Sequence, residues 1–158
     1  MDTEKDRNYM KIALEEARKA YAINEVPIGA VIVYKDQIIG RGYNRRNTDK
    51  STLAHAEILA MEEAMAFIGD WRLEETTMYI TLEPCPMCAG AIVQARIPRV
   101  VLGAMNPKAG SAGSVVNLLN EPKFNHQVQV EYDMCHDACK AILQDFFKEL
   151  REQKKGLR

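Results

Sequence analysis

Two short stretches of the chain hold residue types that do chemistry, at spacings that can bring them to one point: His55-Ala56-Glu57 and Pro84-Cys85-Pro86-Met87-Cys88. A Cys-x-x-Cys spacing across a helix start turns both sulfurs toward one side, and the positive end of the helix favours the thiolate, the form that binds zinc. His55 completes a set of three ligands. Structural zinc sites are closed by four protein ligands, whereas three leave a position for water, whose pKa the metal lowers to about 7. Glu57, two residues from His55, is near enough to take a proton from that water and hand it on, so it reads as a proton shuttle and not as a ligand. Each part alone has an ordinary explanation. A lone Cys-x-x-Cys also serves zinc knuckles and dithiol redox sites, a histidine at a helix start is commonly a cap or surface residue, and a glutamate there commonly answers the helix dipole. The conjunction of His-x-Glu with Pro-Cys-x-x-Cys is much rarer than its parts and points to catalytic zinc.

Both stretches need elements that aim them. Helical spacing of Ile12, Ala13, Ala17, Ala20 and Tyr21 against Lys11, Glu15, Glu16, Arg18 and Lys19 predicts an opening helix from Thr3 to Ala22, ended by Asn24. Ile28–Tyr34 and Gln37–Tyr43 read as antiparallel strands joined by the hairpin-length Lys35-Asp36. Ala54–Phe67 suits a helix stopped at Gly69-Asp70, and Thr77–Leu82 a short strand. Pro86 favours a helix first turn, so a helix is expected from there to about Arg96, closed by Pro98. Arg99–Met105 reads as a strand buried on both faces, Val128–Tyr132 as another strand, and Met134 to about Gln153 as a long amphipathic helix. Strand–helix–strand alternation after the hairpin predicts an α/β fold with right-handed crossovers: three α/β/α layers around a mixed five-stranded sheet. In such sheets functional residues gather at strand ends and helix N-termini, where both motifs lie.

With 158 residues, 47% of them hydrophobic and 27% charged, and a formal net charge of −1, the chain has the balance of one globular domain. We expect a single domain over residues 1–158, with its core at about 9–147 and a basic helix end at 148–158. No apolar run approaches the roughly 18–20 residues of a membrane span, and the opening MDTEKDRNYMK is too polar for a signal peptide, so a cytoplasmic location is expected. Charge is unevenly placed. Arg41, Arg45, Arg46 and Lys50 stand against Asp49 alone, and Lys148, Arg151, Lys154, Lys155 and Arg158 against Glu149 and Glu152, which leaves room for a phosphate-bearing partner. Of the four cysteines, Cys135 and Cys139 beside His136 suggest a second metal site only on paper; small core hydrophobes are the commoner use. His126, in the polar loop Phe124-Asn125-His126-Gln127, is explained by the turn, with a role toward substrate left open.

Nearly the whole chain resembles the zinc-dependent cytidine deaminase superfamily and, within it, the bacterial tRNA adenosine deaminases. The resemblance is carried by Asn24-Glu25-Val26-Pro27-Ile28-Gly29-Ala30-Val31, Asn44-Arg45, Ala54-His55-Ala56-Glu57 and Leu82-Glu83-Pro84-Cys85-Pro86-Met87-Cys88-Ala89-Gly90-Ala91. It continues through Gly103-Ala104, Lys108-Ala109-Gly110, Gly113-Ser114, Asn125-His126 and Phe146-Phe147. It implies a cytidine deaminase-like fold, one zinc ion per subunit on His55, Cys85 and Cys88, and hydrolytic deamination of adenosine to inosine at the wobble position of a tRNA anticodon, foremost an arginine tRNA. Glu57 would move the protons. The same resemblance places Asn44, Ala56, Pro84, Val26 and Ile28 around the base, and gives Lys108, His126, Phe146, Phe147 and Arg151 to the surrounding anticodon stem-loop. It further implies a homodimer through helices near the site, and no organic cofactor or membrane. Leu53 and Asn106 depart from the family pattern. Two alternatives remain on the residues alone: a deaminase of free guanine or other nucleobases and nucleosides, and a non-catalytic RNA-binding module that zinc merely folds.

Overall fold

Alternation along the strands decides which side chains meet which helix layer. The computed structural model describes residues 3–156. Ala30 and Ile32 of β1 (Gly29–Tyr34), Met78 and Ile80 of β3 (Thr76–Leu82), and Val100 and Leu102 of β4 (Arg99–Ala104) point to one face. There they pack on α2 (Ala56–Ile68) and α3 (Pro86–Gln94) through Ala60, Met61, Ala64, Ala89 and Ile92. The intervening Val31, Val33, Tyr79 and Val101 point to the other face and meet Met10, Ala13 and Leu14 of α1 (Thr3–Ala22) and Cys139 of α4 (His136–Gly156). With β2 (Gln37–Tyr43) and β5 (Gln129–Glu131) the sheet has five strands in the order β2-β1-β3-β4-β5. The β2-β1 and β1-β3 pairs are antiparallel and the β3-β4 and β4-β5 pairs parallel, so this is the expected three-layer mixed sheet.

The local reasons are those legible in the sequence. Asn24 (φ 63°) ends α1 in the left-handed region that asparagine tolerates. Lys35 and Asp36 both have positive φ, as a two-residue hairpin of the favoured twist requires. Gly69, at φ 77°, returns its N–H to the Met65 carbonyl and closes α2. Boundaries shift by a few residues. α2 begins at Ala56 and not Ala54, which leaves His55 as its extended N-cap. α3 stops at Gln94, since Arg96 is already left-handed (φ 64°) ahead of Pro98. α4 starts at His136, after Cys135 turns the chain at φ 55°, and runs on to Gly156. Helix α2 sits directly on the β2 backbone: a Cβ on Gly42 would lie 2.2 Å from the Ala56 carbonyl oxygen and one on Gly40 2.2 Å from that of Ala60. That contact sets the start of α2, and with it His55, against the sheet end.

At the opposite sheet end, Asp6 of α1 is buried. It accepts a hydrogen bond from Tyr79 Oη at 2.6 Å and two from the Arg99 guanidinium at 2.5 and 3.1 Å, while Arg99 also bonds Glu131. Burial alone would raise the Asp6 carboxyl, but the bonds from Arg99 and Tyr79 outweigh it and hold it below the ordinary aspartate value. A depressed carboxylate stabilises the fold above its unfolded pKa, and that contribution fades as pH falls through its folded pKa. Asp6→Asn is therefore expected to lower the unfolding free energy by about 3 kcal/mol at neutral pH. In urea titrations the gap between variant and parent should close as pH drops below about 4. A gap that widened on acidification would show the assignment to be wrong.

No helix among the described residues is long and apolar enough to cross a membrane.

Candidate active site

Strands β2, β3 and β4 end, and β1 begins, at one edge of the sheet, where the N-termini of α2 and α3 also converge. His55 is the N-cap of α2; Cys85 is the N-cap of α3, Pro86 its first residue, and Cys88 lies within its first turn. Neither N-cap side chain makes a capping hydrogen bond. His55 Nδ1 lies 3.7 Å from Cys85 Sγ and 3.5 Å from Cys88 Sγ, and all three donor atoms lie within 4.8 Å of one another. Bonds of about 2.3 Å to sulfur and about 2.0–2.1 Å to nitrogen, at tetrahedral angles, put nitrogen and sulfur about 3.6 Å apart. The donor set thus fits zinc in both chemistry and spacing. The three donors also perturb one another: a hydrogen bond from Cys88, and next one from His55, holds the Cys85 thiol down at about 4 against its burial, while its bond to Cys85 and its own burial push Cys88 up. A dication among them would relieve that conflict.

Glu57, in the first turn of α2, is buried beside this group, and burial pushes its carboxyl up from the ordinary value. It lies on the wall of a cavity of about 510 Å³, within the usual range of small-ligand sites. Val26, Ile28, Asn44, Ala56, Lys108 and Phe147, all singled out in the sequence, line the same cavity. Asn44 ties several of its neighbours together. Its backbone N–H bonds Ile28 O at 3.0 Å, its amide nitrogen donates to Val26 O at 3.2 Å, and its Oδ1 accepts the Arg46 N–H at 3.1 Å. The last of these is an Asx turn, so Asn44 serves both as turn residue and as cavity wall.

Other expected residues lie elsewhere. Pro84 is buried behind the wall, where its carbonyl accepts the Ser111 N–H at 2.9 Å. Phe146 is only 7% exposed and packs edge-on against Tyr21 at 5.5 Å between centroids, so it belongs to the core; Phe147, 40% exposed, is the member of the pair that reaches the cavity. Arg151 lies on an adjoining groove instead of in the cavity. His126 is not brought to this edge at all. Its Nε2 lies 2.7 Å from the Ile97 carbonyl oxygen, just before β4 starts, while the cavity lies past the end of that six-residue strand, roughly 17–20 Å of extended chain away. Cys139 is fully buried in the α1 side of the core, where burial pushes its thiol up to about 12, and no second metal-ligand cluster occurs among the described residues.

The groove, of about 1130 Å³, runs along α4 and shares Met105, Pro107, Lys108, Leu143 and Phe147 with the cavity, so the two are continuous. Lys108, Lys140, Lys148, Arg151 and Lys154 line it against Asp145 as its one acidic residue. Sequence reasoning missed Leu143, which lies four residues before Phe147 and thus on the same helical stripe, a signal that was available. Arg46, noted in the sequence only as part of a basic stretch, stands on the cavity wall. The buried Glu25, to which the sequence assigns no role, accepts the Thr48 N–H on its carboxylate at 2.6 Å and holds the loop that carries Arg46.

A fold of this topology with a His/Cys/Cys donor group and a buried glutamate at the sheet edge defines a deaminase, and the chain belongs to the MafB19-like deaminase family, whose model matches residues 4–151. Its relatives there include tRNA-specific adenosine deaminases. The chain is 50% identical to that of Bacillus subtilis (strain 168) over 153 residues, covering 97% of this chain and 95% of the relative. It is 42% identical to that of Haemophilus influenzae over 154 residues, covering 97% and 89%. Among solved structures it is similar to one from a study of A-to-I editing by tRNA:A34 deaminases at the wobble position of transfer RNA, with a TM-score of 0.83, 40% identity, and coverage of 86% of this chain and 99% of that one. A guanine deaminase from Nitrosomonas europaea shares the fold at a TM-score of 0.76 and 23% identity, over 89% of this chain and 83% of that one.

Proposed function

We propose that the chain is a zinc-dependent tRNA adenosine deaminase that converts adenosine to inosine at the wobble position of an anticodon, that of an arginine tRNA foremost, and that the whole chain is one deaminase domain acting in the cytoplasm. The observation that carries this reading is the continuity of three things: a metal-donor triad, a buried carboxyl beside it, and a cavity whose mouth opens into a cationic groove. Free nucleobases need only the cavity. A base embedded in RNA must leave its stack and be held by its neighbours, which calls for phosphate charge and an aromatic platform outside the pocket.

His55, Cys85 and Cys88 would hold the zinc. When bound, zinc supplies the Lewis acidity that makes water a nucleophile near neutral pH. In the reaction water adds at C6 of the purine and the amino group departs as ammonia. Glu57 carries one proton of the water to the ring nitrogen, which keeps it in inosine, and then the second, from the added hydroxyl, to the departing amine. Val26, Ile28, Asn44 and Ala56 enclose the base, and burial of the cavity floor excludes competing water. Phe147 stacks a neighbouring base, while Lys108, Lys148 and Arg151 face phosphates along the groove. The exposed Trp71, beside the partly exposed apolar face of α2 and α3, forms the surface we give to a second copy in a homodimer.

The test is substrate choice. The purified protein is incubated with an anticodon stem-loop bearing adenosine at the wobble position and, separately, with guanine, cytidine and adenosine; nucleoside chromatography and ammonia release are followed. Inosine should appear from the stem-loop. Ammonia from the free compounds alone would replace this reading with that of a free-base deaminase.

A further inference from the structure

Glu83, the residue before Pro84-Cys85, is only 2% exposed, yet no cation among the described residues lies within ion-pair distance of it. Its carboxylate is instead filled by neutral donors from one loop. Oε1 accepts the Asn106 N–H at 2.9 Å and the Ser114 hydroxyl; Oε2 accepts the N–H groups of Ala112 at 2.9 Å and Ser114 at 3.0 Å. The loop encloses the carboxylate so closely that a Cβ on Gly110 would lie 2.2 Å from Glu83 Oε1 and 2.4 Å from the Asn106 carbonyl oxygen. Asn106 in turn accepts the N–H groups of Lys108 and Ala109 on its Oδ1 at 3.2 and 3.3 Å, which sets the turn that carries Lys108. Glu83, Asn106 and Lys108 all line the cavity, and Cys85 stands two residues from Glu83. A single side chain therefore joins the turn that bears a metal ligand to the loop that walls the cavity and opens onto the groove.

We propose that Glu83 is a positioning residue for the RNA substrate: its carboxylate fixes the 106–114 loop, and through it Asn106 and Lys108, relative to Cys85 at the cavity mouth. This rests on the functional reading above. Only a carboxylate can accept from both sides at once. An amide of the same shape has one acceptor oxygen, which would stay with the two backbone N–H groups of Ala112 and Ser114. Its NH2 would then face the Asn106 N–H, and that bond is lost while the hydroxyl of Ser114 can rotate. Glu83→Gln thus releases the Asn106 end of the loop, the end at the cavity.

The test combines steady-state kinetics on the anticodon stem-loop with amide hydrogen exchange of the zinc-loaded protein. For Glu83→Gln we expect KM to rise about tenfold, the equivalent of one hydrogen bond to a charged group, with kcat held within about threefold and zinc content unchanged. Exchange should accelerate at Asn106 while Ala112 stays protected. Ser114→Ala, which removes only the hydroxyl donor, should raise KM by about twofold to threefold. An unchanged KM in folded, zinc-loaded Glu83→Gln overturns the proposal, as does a fall in kcat with KM unmoved. Should Glu83→Gln lose fold or zinc, Ser114→Ala decides: normal KM and normal exchange at Asn106 refute the role. A parent enzyme inactive on the stem-loop overturns the functional reading and this role with it, whereas an active parent with unmoved KM removes this role alone.

Discussion

Replacement of Glu57 by alanine should leave a folded, zinc-loaded protein whose turnover of the stem-loop is lower by a factor of about 10³ or more, at the upper end of what a positioned acid–base group contributes. The size of the effect follows from the site's construction. The C6 amino group cannot leave as amide anion and departs as ammonia only once its nitrogen is protonated, and Glu57 is the carboxyl buried beside the donor triad that can deliver the proton. It lies on α2 within a turn of His55; its removal takes a hydrogen bond from Cys88 but leaves His55, Cys85 and Cys88 themselves in place and does not open the β2 contact that seats the helix. Stem-loop affinity, set along the groove, should change little. The same variant separates an enzyme from an RNA-binding module that zinc merely folds: the module predicts that every property survives. Metal analysis, a binding isotherm and single-turnover kinetics on one preparation check all three expectations, and turnover within about tenfold of the parent would remove Glu57 from the chemistry.

The second large effect concerns the ligands. Cys88→Ala should abolish stoichiometric zinc and, with it, detectable deamination, a loss on the order of 10⁴-fold, since His55, Cys85 and Cys88 together would hold the ion whose Lewis acidity the reaction needs. The apoprotein should nevertheless remain folded. The two core clusters flank the sheet through Ala30, Ile32, Met78, Ile80, Val100 and Leu102 on one face and Val31, Tyr79 and Val101 on the other, and neither is built around the donor triad. Far-ultraviolet circular dichroism and a cooperative urea transition should therefore survive in the variant, and in the parent treated with a chelator, whose activity returns on adding zinc. This differs from small zinc modules, which unfold without metal. An apoprotein without a cooperative transition would make the ion a structural element.

Most of the frame was legible in the sequence because it follows local rules. The Lys35-Asp36 hairpin, the Gly69 stop, the Pro86 start and the apolar run of β4, buried on both faces, are each written in a few consecutive residues, and the structure bears them out. The donor triad was legible for a different reason: His55 and the two cysteines are rare residue types at a diagnostic spacing, and the geometry brings them together as expected. What escaped depends on distant partners. Phe146 and Phe147 read as one aromatic pair, but neighbours on a helix point about 100° apart, so Tyr21 takes the first into the core and the cavity receives the second. Glu25 and Glu83 look like ordinary solvated acids. Apart from the Ser114 hydroxyl, their partners are backbone N–H groups 23 to 31 residues away, which leave no mark in side-chain identity. His126 misled for the converse reason, since a polar loop histidine gives no hint that a carbonyl at the far sheet edge has claimed it.

The sheet is polar in its use. Cavity, donor triad and cationic groove share one edge, while the exposed stretch Lys123-Phe124-Asn125 lies beside His126 at the other. A surface anchor, fluorophore or appended polypeptide attached at that stretch would leave the RNA-facing side turned outward and unobstructed, so the molecule carries its own handle for immobilisation.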